Sequence, residues 1–245
     1  MCTGNKTAIV TAVSNGIGFA IANAYLRRGY NVVGNAHTPE RLRVAARLGN
    51  PDRFAFLTGD ISRPATVKVL FDRAIECFGK VDILINNASV FVARRVEEYT
   101  SEDIENMIDP SLRGFIYPSQ QAAKHMSANR QGHIVNITAS IAVRPAIHVP
   151  AMLPSLIAGG IHHATRSLAI ELAAHHVKVN AVAPAVVDTS FHAAGTLESS
   201  RVQPSRGPID TAQQIIDAVL YLTDSECVTG MVVPAGSVSA ARACC

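Results

Sequence analysis

Alternation is what most restricts this chain. Short apolar runs recur along all 245 residues, separated by segments whose apolar positions fall at helical spacing. A strand that is apolar at every position has no polar face to turn to water, so it must be covered on both sides. Strands are predicted near 7–12, 31–35, 53–58, 81–86, 132–138, 177–183 and 231–235, with helices between them. The fold class expected is therefore α/β: a doubly wound, parallel, seven-stranded sheet with helices on both faces, Rossmann-type. One domain, 1–245, accounts for the chain, since an apolar content of 48% supports one large core and no composition shift marks a second. Helix-start chemistry stands at Asn15-Gly16, Pro39, Ser62-Arg63-Pro64 and Asp210-Thr211. The stretch 185–209, which holds Gly195, Ser199, Ser200, Pro204, Gly207 and Pro208, is too long for a plain connection and reads as a lid.

Charge and cysteine usage narrow the function classes. A net charge of +3 is spread without a basic block, and Arg94-Arg95 reads as a solvated loop pair, so no nucleic-acid partner is expected. No run approaches about 18 uninterrupted apolar residues, so no membrane span is expected either. The first strand-like run begins at Thr7, which leaves no room for a signal peptide. Five cysteines are an odd number and show no C-x-x-C spacing, which fits a reducing, cytoplasmic location and no metal site.

The first strand runs into Thr11-Ala12-Val13-Ser14-Asn15-Gly16-Ile17-Gly18 and then into a helix with apolar Ile21, Ala22, Tyr25 and Leu26. A glycine-bearing strand-to-helix turn lets backbone approach a pyrophosphate, and the helix N-terminus offers free N–H groups and partial positive charge. Asp60-Ile61 ends the third strand and Asn86-Asn87-Ala88-Ser89 the fourth, so all three ends meet at one crevice.

These residues resemble the short-chain dehydrogenase/reductase family over nearly the whole chain. Thr11 to Gly18 is similar to the family's Thr-Gly-x-x-x-Gly-x-Gly turn, with Ala12 in place of the first glycine. Asn86 to Ser89 is similar to its Asn-Asn-Ala-Gly, and Val179-Asn180-Ala181-Val182-Ala183-Pro184 with Asp188-Thr189 to the segment beside the nicotinamide. The resemblance implies that Ser14, Asn15, Gly16, Ile17, His37, Asp60, Ile61, Asn87 and Thr189 would line an NAD(P) site if this chain retains one. Gly34-Asn35-Ala36-His37-Thr38 supplies neither a carboxylate for a ribose hydroxyl nor an arginine for a 2′-phosphate, so the choice between NAD and NADP stays open.

The family's chemistry, by the same resemblance, uses Tyr-x-x-x-Lys on one helix, a preceding serine and an asparagine on the previous helix. A tyrosine of ordinary pKa about 10 serves as proton donor only if a nearby cation lowers it. Here there is no tyrosine between Tyr117 and Tyr221 and no lysine between Lys124 and Lys178. Counting back from Thr165-Arg166-Ser167, the tyrosine position falls on Pro154 and the lysine position on Ala158; a register one residue earlier gives Leu153 and Ile157. Ser111 stands at the asparagine position, and Ser140 is a vestigial counterpart of the serine. No catalytic residue is therefore assigned. His148, His162 and His163 are the nearest replacement acids, and Cys77 and Cys227 fall away from the crevice.

Leu153 to Ile161 is a run without charge on a helix that, in this family, packs with its neighbour against the same pair of another subunit. Gly159-Gly160 would permit close approach there. The resemblance thus implies a catalytically silent subunit of a heteromeric short-chain dehydrogenase, docked through helices about 101–129 and 152–175 onto an active homologue that carries NAD(P). An enzyme of altered non-redox chemistry and a dinucleotide-sensing regulator are the alternatives.

Overall fold

The structure, a computed structural model, describes residues 5–14, 16–39, 48, 52–145, 149–185 and 208–236, the side chains of 208–211 excepted. Seven strands form one wholly parallel sheet: β1 (Thr7–Val10), β2 (Asn31–Ala36), β3 (Phe54–Thr58), β4 (Ile83–Asn86), β5 (Gly132–Ile137), β6 (Val177–Pro184) and β7 (Val232–Ala235). Their order across the sheet is β3-β2-β1-β4-β5-β6-β7. The helices are α1 (Gly16–Arg27), α2 (Pro64–Phe78), α3 (Ser101–Ile108), α4 (Gly114–Asn129), α5 (Met152–Leu172) and α6 (Pro208–Asp224). This is the doubly wound fold that the alternation predicts.

Period-two burial divides the core between the two faces. Ala8 and Val10 of β1 pack with Ile21, Ala22 and Tyr25 of α1 and with Ile215, Val219 and Leu222 of α6. Ile9 of β1 points the other way, into a cluster built with Leu70 and Phe71 of α2, Met126 of α4 and Leu172 of α5. A third cluster, Met107, Phe115, Leu153, Ile157 and Ile161, fastens α3, α4 and α5 together. Chain direction across the sheet reverses between β1 and β4, and at such a switch point the strand ends leave a crevice.

Several boundaries differ from expectation. The helix predicted over 101–129 is two helices joined by a π turn at Asp109–Arg113. Pro110 lacks the N–H that an α turn would use, and the wider turn accommodates its ring. α5 ends as an α-helix at Leu172 and closes in a 3-10 turn, Ala173–His175. α6 starts at Pro208, two residues before Asp210-Thr211, as suits a proline in a first helical turn. Residues 40–47 after Pro39, residues 186–207 of the stretch 185–209 read as a lid, and Asn15, His148 and Thr189 lie outside the described residues. Among the described residues no helix is long and apolar enough to cross a membrane, and no group of His, Cys, Asp or Glu could hold a metal ion.

Three histidines make stability depend on pH. His125, on α4, accepts the Val81 backbone N–H at Nε2 (3.1 Å), and the Asn129 side-chain nitrogen lies 3.1 Å from the same ring nitrogen. Burial lowers the pKa of His125, of His133, where Lys178 adds to it, and of His162, where Arg166 does. A histidine depressed in the folded state binds its proton more readily when unfolded, where its pKa is about 6.5. Their contribution is thus fully present above about pH 6.5 and is lost as pH falls through the lower folded values. The melting temperature is expected to be lower at pH 5.5 than at pH 7.5; an unchanged or higher value would contradict the neutral assignment.

Candidate functional site: a dinucleotide-type crevice without its acid

The turn after β1 is held by the end of β4. The Thr11 hydroxyl accepts the backbone N–H groups of Asn87 (2.8 Å) and Ala88 (3.0 Å). The Asn87 side chain donates to the carbonyls of Thr11 (3.0 Å) and Ala12 (3.3 Å). Asn87 therefore spends its amide as a clamp on the turn. Gly18 admits no larger residue, because a Cβ there would run into the Ala12 carbonyl and the Asn87 side chain. Gly16 has φ +53°, and the N-terminus of the twelve-residue α1 faces the crevice behind it.

Ala12 adopts φ +54°, the left-handed conformation that glycine takes freely. An L-residue there carries about 1–2 kcal/mol of strain, while glycine in the unfolded chain costs part of that back. Ala12→Gly is expected to stabilise the fold by about 0.5–1 kcal/mol, a rise of roughly 2 °C in thermal unfolding. A fall in Tm would mean that the methyl group makes contacts worth more than the backbone strain.

At the nucleotide end, the Asp60 carboxylate accepts from the Ser62 N–H (2.9 Å) and hydroxyl (2.7 Å) and pairs with Arg63 (3.3 Å). Burial alone would raise its pKa, but the Ser62 bonds outweigh burial and hold it below the ordinary range, with His37 and Arg63 adding to the effect. Ile61 is buried and His37 exposed, while Ala36 ends β2 with a buried methyl group. A turn with Gly16 at positive φ, Gly18 packed without room for a Cβ and a buried Ser14 at a helix N-terminus has the chemistry that suits the pyrophosphate of a dinucleotide. Among the described residues that follow β2, His37, Thr38 and Pro39 supply neither a carboxylate nor an arginine to the ribose end.

At the chemical end, α5 presents two different faces. Leu153, Ile157 and Ile161 belong to the cluster with α3 and α4. Pro154, Ala158 and Thr165 lie on the adjoining buried face toward the ends of β5 and β6, where Thr165 accepts from Asn136 (2.9 Å). Of the two registers, the one naming Leu153 and Ile157 falls in the cluster with the neighbouring helices, and the one naming Pro154 and Ala158 lies on the helix face of Thr165. Pro154 is the third residue of α5, where its missing N–H leaves no helical bond unmade.

Ser111 is buried in the π turn, and its hydroxyl accepts the Val90 N–H (3.2 Å), tying α4 to the loop after β4. Ser140 opens a 3-10 turn, Ser140–Ala142, and is half-buried. His162 is buried, with Nε2 2.7 Å from the Thr138 hydroxyl, whereas His163 faces solvent. The Thr138 hydroxyl also donates to the Val182 carbonyl (3.2 Å), so His162 serves as a strut between α5 and the sheet end. Cys77 and Cys227 are exposed and free.

Tyr99 is a residue that sequence spacing overlooks. Its side chain packs with Leu153 in the third cluster, and its hydroxyl donates to the Val92 carbonyl (2.9 Å). Burial raises its pKa in spite of nearby Arg94, which is the wrong direction for a proton donor poised near neutrality.

Similarity to known proteins agrees with this geometry. The family model described as short chain dehydrogenase matches residues 6–198. The 2-dehydro-3-deoxy-D-gluconate 5-dehydrogenase of Escherichia coli (strain K12) is 33% identical over 217 residues, covering 87% of this chain and 80% of that protein. The Bacillus subtilis (strain 168) protein of the same name is 32% identical over 188 residues, 76% of this chain and 72% of its own. An uncharacterized oxidoreductase of Staphylococcus aureus (strain USA300) is 29% identical over 218 residues, 89% of this chain and 90% of its own. With the seven-stranded parallel sheet, the clamped turn after β1 and the match over most of its length, the chain belongs to the short-chain dehydrogenase/reductase family of oxidoreductases.

Proposed function

We propose that this chain is a catalytically silent subunit of a hetero-oligomeric NAD(P)-dependent short-chain alcohol dehydrogenase, and that it stabilises or regulates an active homologous partner. One observation carries the proposal: where the family resemblance places the tyrosine and lysine, α5 bears Pro154 and Ala158, with no tyrosine from 118 to 220 and no lysine from 125 to 177. Neither side chain can hand a proton to a carbonyl oxygen or lower the pKa of a group that could.

The cradle itself suits NAD(P). Ser14, Gly16 and Ile17 would hold the pyrophosphate and Asp60 with Ile61 the adenine, and the bound nicotinamide would supply hydride acceptance. In this subunit the group would shape the crevice and the helices around it. Docking runs through α3, α4 and α5 onto the equivalent helices of the partner. One precedent for such a role is the silent subunit of 2-[hydroxy(phenyl)methyl]succinyl-CoA dehydrogenase, to which the overall resemblance of the sequence points; no motif here selects that substrate. A reducing, cytoplasmic setting goes with this role.

Co-expression with short-chain dehydrogenases that keep Tyr-x-x-x-Lys tests the proposal. A stable mixed oligomer with more activity than the partner alone supports it. A homo-oligomer with alcohol oxidation of its own refutes it. Micromolar NADH or NADPH binding without any partner would favour a dinucleotide sensor, and a non-redox activity abolished by Ser140→Ala would favour altered chemistry in the same crevice.

A further inference from the structure

One face of β5 meets the buried face of α5 in polar layers. Asn136 is bonded to Thr165, and Thr138, two residues on, meets His162, about one turn back along α5. The Thr138 N–H keeps the strand register by donating to the Val182 carbonyl (2.9 Å), and Ala139 after it is extended at φ −147° and ψ 138°. Alternate side chains of an extended segment point to the same side, so Ser140 projects beside Thr138, one layer further on. These residues follow the C-terminal end of β5, the end of the sheet at which α/β proteins take their ligands.

The Thr138 hydroxyl has two acceptors in reach. The Val182 carbonyl at 3.2 Å is beyond the ordinary O–H···O range of about 2.5–3.0 Å, whereas His162 Nε2 stands at 2.7 Å. Burial lowers the pKa of His162 and Arg166 adds to it, so the imidazole is neutral and offers a lone pair to the hydroxyl proton. A half-buried hydroxyl against a buried neutral base is the arrangement that makes an alcohol nucleophilic. Ser140, also half-buried, supplies a donor at a useful distance. Two steps of a strand span about 6.6 Å. An attacking oxygen about 3–3.5 Å from a carbonyl carbon, a C=O bond of about 1.2 Å and a hydrogen bond of about 2.7 Å to its oxygen together need about the same.

We infer that Thr138 is an acyl-acceptor site for activated esters or thioesters, with His162 as its base and the Ser140 hydroxyl as donor to the carbonyl oxygen. Thr138 Oγ1 forms a bond to the acyl carbon, and the bond from that carbon to the leaving oxygen or sulfur breaks. The Thr138 proton passes to His162 Nε2 and from there to the leaving group, so the step closes without a redox partner. His162 is only 5% exposed, with Nε2 turned to Thr138, so the base is shielded from water and the new ester persists. The site therefore fills once per chain and does not turn over. Nothing in it depends on a partner subunit, and its failure would leave the result of co-expression untouched.

Treatment of the purified chain with p-nitrophenyl acetate tests the inference. A burst of p-nitrophenolate stoichiometric with the chain is expected, and peptide mass spectrometry should place the acetyl group on Thr138, apart from any on lysines or on the exposed Cys77 and Cys227. Thr138→Val should abolish that label. His162→Gln, which keeps a hydrogen-bonding group but no base, should slow labelling of Thr138 by about 10²-fold or more, and Ser140→Ala by about tenfold or more. Imidazole added to His162→Ala should restore labelling, as it would for a missing base and not for a missing brace. An unlabelled Thr138 in the parent protein, labelling indifferent to His162→Gln, or steady turnover in place of a burst would each overturn the inference.

Discussion

Purified without a partner, the chain is expected to oxidise alcohols with NAD or NADP at least about 10²- to 10⁴-fold more slowly than a dehydrogenase with a tyrosine and a lysine on the α5 crevice face. General acid–base catalysis contributes that factor by itself, and an ammonium beside the tyrosine adds electrostatic help on top of it. Here both positions are hydrocarbon, Pro154 and Ala158, and Ser111 spends its hydroxyl on Val90. Among the described residues, His162 braces Thr138, and Tyr99 donates to the Val92 carbonyl with a raised pKa. The reverse change is equally informative. Pro154 needs no special backbone, since the third residue of a helix has no intrahelical bond to donate. Pro154→Tyr with Ala158→Lys and Ser111→Asn is therefore expected to raise NAD(P)-dependent turnover above that of the parent, read as NAD(P)H absorbance. Ordinary enzymatic rates from the unaltered, partner-free protein would remove the basis for a silent subunit.

Much of this was legible in the chain, for definite reasons. Strand positions could be read because β1, β4, β5 and β6 are buried on both faces, so that short apolar runs such as Ala8-Ile9-Val10, Ile83-Leu84-Ile85 and Ile134-Val135 stand out in spite of the polar residues among them. The clamped turn was legible as a motif, but its energetic oddity was not: that Ala12 sits at φ +54° is a property of the backbone, and no residue type announces it. The break at Asp109–Arg113 has a visible cause in Pro110, yet proline interrupts some helices and not others; Pro118 lies inside α4 without breaking it. Sequence counting offered two registers for the missing pair, and only packing against Met107 and Phe115 assigns Leu153 and Ile157 to the helix cluster. The uses of Asn86, Asn136 and Thr165 were hidden because isolated polar residues in strands and helices carry no spacing signal.

Those last residues yield the largest expected loss of stability. Asn86 donates through its side-chain nitrogen to the Ser119 hydroxyl (3.0 Å) and to the Asn136 carbonyl oxygen (2.9 Å). Asn136 donates in turn to the Thr165 hydroxyl (2.9 Å), which donates to the Ile161 carbonyl (2.7 Å). All four side chains are buried, so the seam crosses from α4 through β4 and β5 to α5 away from bulk solvent. Asn136→Ala takes away both an acceptor and a donor at its centre. It leaves an amide hydrogen of Asn86 unmatched and opens a small cavity, for about 2–4 kcal/mol and a fall on the order of 10 °C in Tm. Ser119→Ala, at the end of the chain of bonds, should cost only about 1 kcal/mol. Because Asn86 and Asn136 share a bond, Asn86→Ala added to Asn136→Ala should cost less than the sum of the two singles, and additivity within about 0.3–0.5 kcal/mol would show that the two amides do not act together. Cooperative loss would make this seam the element that fixes the angle of α4 and α5 against the sheet, a role that holds whether or not the crevice above it performs any chemistry.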